Sequence, residues 1–98
     1  MDQEKGGWVY IMTNRPNGTI YPGVTTRLVQ RVAEHRDGVI PGFTSKYGLK
    51  RLVWFEPHAG IAGAIAREKV IKNWPRAWKV QLIAHENPEW RDLFEAIV

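Results

Sequence analysis

The sequence predicts a small α/β domain of the α+β type, with a three-stranded antiparallel sheet flanked by helices in the order ββαβαα and a short C-terminal helix. Two segments rich in aromatic and β-branched residues flank Pro16-Asn17-Gly18, a signal typical of a β-hairpin. Apolar residues then recur at helical spacing on both sides of a short apolar segment. Because 98 residues suffice for one hydrophobic core but not for two, we expect one domain over residues 1–98, with residues 1–6 flexible.

The composition restricts both the partners and the chemistry. No apolar run approaches the roughly 20 residues needed to span a bilayer, and residues 1–7 lack the basic and apolar regions of a secretory signal. We therefore expect a cytoplasmic protein with no membrane partner. The absence of cysteine excludes a disulfide framework, a thiolate zinc site and a thiol nucleophile. A net charge of +4 favours a polyanionic partner such as nucleic acid.

The hairpin is predicted from two strands that span Trp8–Thr13 and Thr19–Thr25. If Asn17-Gly18 forms a two-residue turn, Asn14 lies opposite Tyr21 in the adjacent strand. Because side chains alternate between the two faces of a strand, Tyr10 then projects on the same face as Tyr21. The register thus predicts two tyrosine hydroxyls on one side of the sheet.

The first helix is predicted over Arg27–Asp37, between a threonine cap and the terminating Gly38. Its apolar residues form one arc, and Arg27, Arg31 and His35 lie one turn apart beside that arc. We therefore expect the helix to carry a solvated basic edge.

The rest of the chain is predicted to contain an exposed loop, a strand and further helices, over Phe43–Tyr47, Arg51–Phe55, Ile61–Asn73 and Arg76–Ala84, with a terminal helix from Asn87. Glu68 lies inside the apolar arc of the helix over Ile61–Asn73. Because a buried carboxylate needs a cation or hydrogen-bond donors, Glu68 is expected to meet one or the other. The five tryptophans are expected in the core, where so large a side chain usually packs.

Phosphodiester hydrolysis requires a base or nucleophile, a cation for the charge on the phosphate and usually a divalent metal held by a carboxylate. The residue types for these roles are supplied by Tyr10, Tyr21, Arg31, His35 and Glu68. Each residue also has an ordinary structural interpretation. Tyrosines pack in sheets, basic helix edges are commonly solvated, and Glu68 can pair with Lys72 at i,i+4 spacing.

Four short segments carry a resemblance to a known family, and they are Val9-Tyr10-Ile11, Tyr21-Pro22-Gly23, Arg31 with His35, and Ala66-Arg67-Glu68-Lys69. In this order they resemble the GIY-YIG nuclease superfamily, which includes homing endonucleases, some restriction enzymes and the nuclease domain of the C subunit of bacterial excision repair. The resemblance covers nearly the whole chain. Phe43–Tyr47 and residues 87–93 are similar to the compact single-domain bacterial branch of the family.

The resemblance implies a metal-dependent endonuclease and gives each of the candidate residues a role. Glu68 would hold Mg²⁺ or Mn²⁺ against the scissile phosphate, and Arg31 would stabilise the charge that develops on it. Tyr10 would deprotonate water or relay its proton, with help from His35 or the metal, because a free tyrosine has a pKa near 10. Tyr21 would orient the water or the phosphate.

The resemblance also bears on the substrate. Contacts to nucleic acid, with DNA expected rather than RNA, are predicted for the basic residues Arg27, Lys46, Lys72 and Lys79. Because so small a domain has little surface for sequence readout, we expect cleavage to be selective for nucleic-acid structure or to be directed by a protein partner.

The sequence departs from the family pattern at the second motif and near its end. Pro22 stands where the motif has a residue with a backbone N–H, which is expected to put Tyr21 at a strand end or edge. Lys79 and Val80 stand where the family has a late asparagine, and Asn87 is a weak substitute. These departures leave a non-catalytic nucleic-acid-binding module as the alternative to an active nuclease. A second alternative is a protein-interaction domain that uses exposed apolar and aromatic residues, with the basic charge incidental.

Overall fold

The computed structural model describes residues 6–98, so the expected flexibility of residues 1–6 lies outside it except at Gly6. Its elements are β1 (Gly7–Thr13), β2 (Ile20–Thr25), α1 (Leu28–Asp37), α2 (Phe43–Lys46), β3 (Arg51–His58), α3 (Ile61–Lys72), α4 (Arg76–Glu86) and α5 (Phe94–Ile97). The strands form one antiparallel sheet in the order β2-β1-β3, which confirms the predicted α+β class. Within residues 6–98, no helix has the length and apolar character needed to cross a membrane.

The register of the β1–β2 hairpin differs from the prediction by two residues. Met12, rather than Asn14, lies opposite Tyr21, and residues 14–19 connect the strands in place of a two-residue turn. A shift of two residues returns every side chain to the same face, because the side-chain period of a strand is two. Tyr10 and Tyr21 therefore share a face, as predicted.

The physical reason for the longer connection is the proline. Pro16 and Asn17 occupy the central positions of a β-turn in which the Gly18 N–H donates to the Arg15 carbonyl at 2.9 Å. Proline supplies the negative φ of the first central position, and Asn17 supplies a φ of 58° at the second, as a type II turn requires. The Arg76 guanidinium of α4 donates to the carbonyls of Asn17 and Gly18 at 2.9 and 2.8 Å, which ties this turn to the rest of the fold.

The sheet separates two hydrophobic clusters, because side chains alternate along its central strand β1. One face, which α3 and α4 cover, contains Val9, Ile11, Val53, Trp54, Ala64, Ile71, Ile83 and Trp90. The opposite face, which α1 covers, contains Tyr10, Met12, Leu28, Val32, Leu49 and Leu52. The prediction of tryptophans in the core is wrong for Trp78, which is 53% exposed.

The segment after α4 is fastened to β3 by one asparagine side chain. The Asn87 amide nitrogen donates to the Val53 carbonyl at 3.1 Å and to the Arg91 carbonyl at 2.9 Å, and its oxygen accepts from the Arg91 N–H at 3.0 Å. Val53 lies where the pairing of β3 with β1 shifts by one residue, which marks a β-bulge. Asn87 is thus engaged inside the fold. The predicted short C-terminal helix is present, but it begins at Phe94 rather than at Asn87.

Replacing Asn87 by alanine is expected to lower the free energy of unfolding by about 2–3 kcal/mol, because the buried Val53 carbonyl loses its donor. Chemical denaturation monitored by circular dichroism measures the change. Asn73→Ala is a suitable control, since the Asn73 amide donates on the exposed surface of α3 and its loss should cost less than about 1 kcal/mol. Equal losses in the two variants would contradict the role given to Asn87.

Candidate active site

Tyr10 and His35 form a buried hydrogen bond on the face of the sheet that α1 covers. The Tyr10 hydroxyl lies 2.9 Å from His35 Nε2, and the two residues are 2% and 3% exposed. His35 was predicted on a solvated basic edge, but it continues the buried stripe of Leu28 and Val32 on α1. The predicted basic edge is therefore wrong for His35 and is right for the partly exposed Arg31.

The second ring nitrogen of His35 contacts Thr44, a residue whose role the sequence did not reveal. Thr44 Oγ1 lies 3.1 Å from His35 Nδ1, and Thr44 is buried although Phe43–Tyr47 was predicted as an exposed loop. This segment contains α2, which Gly42 and Gly48 flank with φ values of 110° and 64°. Glycine at a φ near 60° commonly follows the last turn of a helix, so Gly48 is the signal that could have revealed α2.

Tyr21 lies beside His35 on the same face of the sheet. The centroids of the two rings are 6.0 Å apart, and β2, which carries Tyr21, is an edge strand. Pro22 lies opposite Ile11, and the pairing of β1 with β2 continues on both sides of it. The expectation that Tyr21 lies at an edge is confirmed, because an edge strand tolerates a residue without an N–H.

Gly23 lies opposite Tyr10 and leaves room for its ring. A Cβ atom at this position would lie 2.4 Å from Tyr10 Cζ and 2.5 Å from the hydroxyl oxygen, far inside van der Waals contact. The segment Tyr21-Pro22-Gly23 therefore ends in glycine because the Tyr10 ring packs across the backbone at that point.

We expect Gly23→Ala to lower the free energy of unfolding by about 1–3 kcal/mol, because the added methyl group displaces the buried Tyr10 ring. Thermal unfolding measures this effect. Gly63→Ala is the matched control, since a Cβ atom there would meet its nearest neighbour, His58 Nδ1, at an ordinary 3.6 Å. A Gly23→Ala protein that melts at the wild-type temperature would show that the packing of the Tyr10 ring does not require glycine at this position.

Charged groups from several elements act on the Tyr10 hydroxyl. Burial raises the pKa of Tyr10 well above its usual value, and Tyr21 adds to the increase. The charge of Arg31 lowers this pKa, whereas Glu68 and Glu34 raise it. Tyr10 is therefore protonated at neutral pH, and the charges of Arg31 from α1 and Glu68 from α3 both affect its pKa.

His35 has the opposite shift. Burial lowers the pKa of His35 below its usual value, the charge of Arg31 lowers it further, and Glu34 partly opposes these effects. Arg31 Nε lies 3.7 Å from Glu34 Oε1, which places both charges on the same side of α1. His35 is therefore neutral at pH 7, so one ring nitrogen carries a proton and the other can accept one.

Glu68 is suited to bind a divalent metal whose other ligands are water and substrate oxygens. Its side chain is half-buried on α3, and within residues 6–98 it makes no ion pair with Lys72 or any other side chain. The same residues contain no group of three or more His, Cys, Asp or Glu able to enclose a metal. One carboxylate is sufficient for Mg²⁺, which keeps several water ligands and takes phosphate oxygens as others.

The four basic residues predicted to contact nucleic acid lie in different surroundings. Lys46 is exposed on α2, the helix that also carries Thr44, and Arg27 lines a cavity of about 130 Å³ together with Arg31. Lys72 is exposed at the end of α3, whereas Lys79 is half-buried on α4. A wider groove of about 530 Å³ between α1 and α5 is lined by none of the five candidate catalytic residues.

Comparison with known proteins places this site in a family. Residues 6–81 match the model of the GIY-YIG catalytic domain, and this range contains all five candidate catalytic residues. A UPF0213 protein of Syntrophus aciditrophicus is 36% identical over 84% of this chain and 93% of its own length. A UPF0213 protein of Natronomonas pharaonis is 35% identical over 81% of this chain and 92% of its own length.

A solved structure has the same architecture. The solution structure of a UPF0213 protein from Bacillus halodurans superposes with a TM-score of 0.55 at 26% identity, and it covers 89% of this chain and 92% of its own. The family match extends over most of the chain, and the small relatives are matched along nearly their whole lengths. This chain belongs to the GIY-YIG nuclease family.

Proposed function

We propose that this chain is an active endonuclease that hydrolyses phosphodiester bonds in nucleic acid, DNA before RNA, with Mg²⁺ or Mn²⁺ held by Glu68. The observation that carries the proposal is the Tyr10–His35 hydrogen bond of 2.9 Å, with the charges of Arg31 and Glu68 acting on the same hydroxyl. A buried tyrosine and a neutral histidine in contact provide a path for a proton.

The raised pKa of Tyr10 and the lowered pKa of His35 favour a relay over a free phenolate. In this relay the Tyr10 oxygen takes a proton from the attacking water as its own proton passes to His35 Nε2. His35 then holds the proton, and its Nδ1–H donates to Thr44 Oγ1, 3.1 Å away, in both charge states. The relay therefore uses the tautomer in which Thr44 Oγ1 accepts from Nδ1–H and Nε2 accepts the Tyr10 proton.

The remaining residues act on the phosphate. The Arg31 guanidinium stabilises negative charge that develops on the phosphate oxygens. Tyr21, beside His35, orients the water or the phosphate through its hydroxyl. When bound at Glu68, the divalent metal supplies Lewis-acid stabilisation of the same charge.

One observation favours a second candidate, a nucleic-acid-binding module without catalysis. Asn87 is engaged inside the fold, and Lys79 and Val80 stand at the place of the family asparagine. Pro22 no longer supports this alternative, because β2 accommodates it without a break in pairing.

The experiment that separates the two candidates is cleavage of linear, nicked, branched and single-stranded DNA and RNA in Mg²⁺, Mn²⁺ or EDTA. We expect cutting that requires the metal and that acts on DNA before RNA. Binding without cutting of any substrate in either metal would establish the non-catalytic module instead. Cutting that survives EDTA would contradict the role proposed for Glu68.

The pH dependence of cleavage is expected to report the state of His35. Protonation of Nε2 removes the acceptor for the Tyr10 proton, so kcat/KM should fall as the pH falls through the His35 pKa. Because that pKa is lowered from the usual 6.5, the midpoint of the acid limb should lie below pH 6.5. A midpoint above this value would contradict the neutral, buried histidine.

Thr44→Val tests the tautomer that the relay needs. Valine keeps the shape of threonine but cannot accept from His35 Nδ1, so we expect a rate about 5- to 10-fold lower at pH 7, where His35 is neutral, consistent with losing one hydrogen bond. Thr44→Ser keeps the hydroxyl and should restore most of the rate. Equal rates for the valine and serine variants, with both proteins folded, would remove Thr44 from the mechanism.

A further inference from the structure

Three aromatic side chains form a continuous surface beside the site, and we name them the α2 aromatic cluster, which consists of Tyr21, Phe43 and Tyr47. The rings of Tyr21 and Phe43 are nearly parallel, with centroids 6.1 Å apart and an interplanar angle of 22°. The centroids of Phe43 and Tyr47 are 4.8 Å apart. Phe43 and Tyr47 are each 48% exposed, so broad ring surfaces face solvent.

A basic side chain lies against this cluster. The segment that carries Phe43 and Tyr47 contains no aspartate or glutamate between Asp37 and Glu56, and it contains Lys46. Lys46 Nζ lies 5.4 Å from the centroid of the Tyr47 ring. A ligand that combines a flat apolar face with negative charge therefore fits this surface better than a purely apolar or a basic partner does.

The α2 aromatic cluster contacts the proposed catalytic centre. Tyr21 belongs to both, since its ring lies 6.0 Å from His35 and stacks with Phe43. The same turn of α2 that carries Phe43 also carries Thr44, which contacts His35 Nδ1 at 3.1 Å. A group stacked on Phe43 therefore lies beside two residues, Tyr21 and Thr44, that contact His35.

We propose that the α2 aromatic cluster is a stacking site for one unpaired nucleobase next to the scissile phosphate, with Lys46 binding the adjoining backbone phosphate. A base can reach such a surface only when it has left the duplex stack, because paired bases expose their edges and not their faces. The site thus selects single-stranded, flapped or bulged nucleic acid over a continuous duplex. This inference rests on the proposed function for the position of the scissile phosphate.

The test is binding of a short fluorescent single strand and of the matching duplex, measured by anisotropy in EDTA so that no cleavage occurs. Phe43→Ala is expected to weaken binding of the single strand about 5- to 100-fold, which is the usual contribution of one stacked base, and to change binding of the duplex less than about twofold. Trp78→Ala is the matched control, since Trp78 is similarly exposed but lies on α4, and it should bind both probes as the wild type does.

The salt dependence of the affinity separates the contribution of base stacking from that of phosphate binding. Phe43→Ala should leave the slope of log Kd against log salt unchanged, whereas Lys46→Ala should reduce its magnitude by about 0.7, the contribution of one phosphate contact on a single strand. A single strand with an abasic residue at the stacked position should bind the wild type as weakly as the intact strand binds Phe43→Ala. Circular dichroism checks that both variants are folded.

Several results of these binding experiments would contradict the proposed stacking site. Wild-type affinity of Phe43→Ala for the single strand would overturn it, and so would an equal loss of affinity for the single strand and the duplex. Metal-dependent cleavage by the wild type would leave the proposed function intact in either case. If no probe bound while a protein ligand protected Phe43 and Tyr47, the cluster would be a protein interface and the inference would be wrong.

Discussion

Glu68→Gln is expected to lower the rate of cleavage about a thousandfold or more while the protein stays folded. The neutral amide keeps the size of the side chain but is a much poorer ligand for Mg²⁺, which prefers charged oxygens. Metal stabilisation of a phosphate transition state is worth several kcal/mol, and each 1.4 kcal/mol corresponds to about tenfold in rate. Single-turnover cleavage at saturating Mg²⁺ measures this loss.

Glu86→Gln is the control for Glu68→Gln, because it makes the same change of charge at an exposed position near the end of α4. This variant should cleave at the wild-type rate. Since Glu68 is one of the groups that raise the pKa of Tyr10, its removal should not hinder the proton relay. If Glu68→Gln kept more than about a tenth of the rate, the metal would have to be held elsewhere.

Tyr10→Phe is expected to lower the rate about 10²- to 10⁴-fold, the range over which a positioned acid or base contributes. The ring remains to fill the space over Gly23, so the free energy of unfolding should fall by only about 1 kcal/mol for the hydrogen bond lost to His35. The comparison of single-turnover rates with denaturation curves separates catalysis from folding.

The same relay predicts how Tyr10 and His35 combine. If the proton passes from one to the other, His35→Ala in the Tyr10→Phe background should cost little further rate, because residues that act as a unit are not additive. His85→Ala, at an exposed position on α4, controls for the loss of an imidazole. Losses that multiply in the double variant would mean that Tyr10 and His35 act independently.

The sequence was sufficient for the parts of the fold that local signals determine. The bounds predicted for α1 and α3 are within one residue of the observed Leu28–Asp37 and Ile61–Lys72, because Gly38 and Pro75 are strong signals for the end of a helix. The shared face of Tyr10 and Tyr21 followed from the period of two in a strand, and this conclusion survived an error in the register.

The predictions that were wrong concern features that depend on residues distant in sequence or on the choice between two possible turns. Pro16 moved the turn of the hairpin by preferring the first central position of Arg15–Gly18. His35 lies on the buried stripe of α1 with Leu28 and Val32, but its bonds to Tyr10 and Thr44 are made with residues outside that helix. Asn87 was considered as a weak substitute for the family asparagine, because its actual partner, the Val53 carbonyl, lies 34 residues away in sequence and left no local signal.

The central claim is that the buried Tyr10–His35 pair and Glu68 act together in metal-dependent hydrolysis. The most direct measurement is the single-turnover cleavage of one labelled DNA by the wild type in Mg²⁺ and in EDTA, beside Tyr10→Phe and Glu68→Gln in Mg²⁺. We predict product only for the wild type in Mg²⁺, with both variants folded and able to bind the DNA. Product at the wild-type rate from either variant, or from the wild type in EDTA, would contradict the claim.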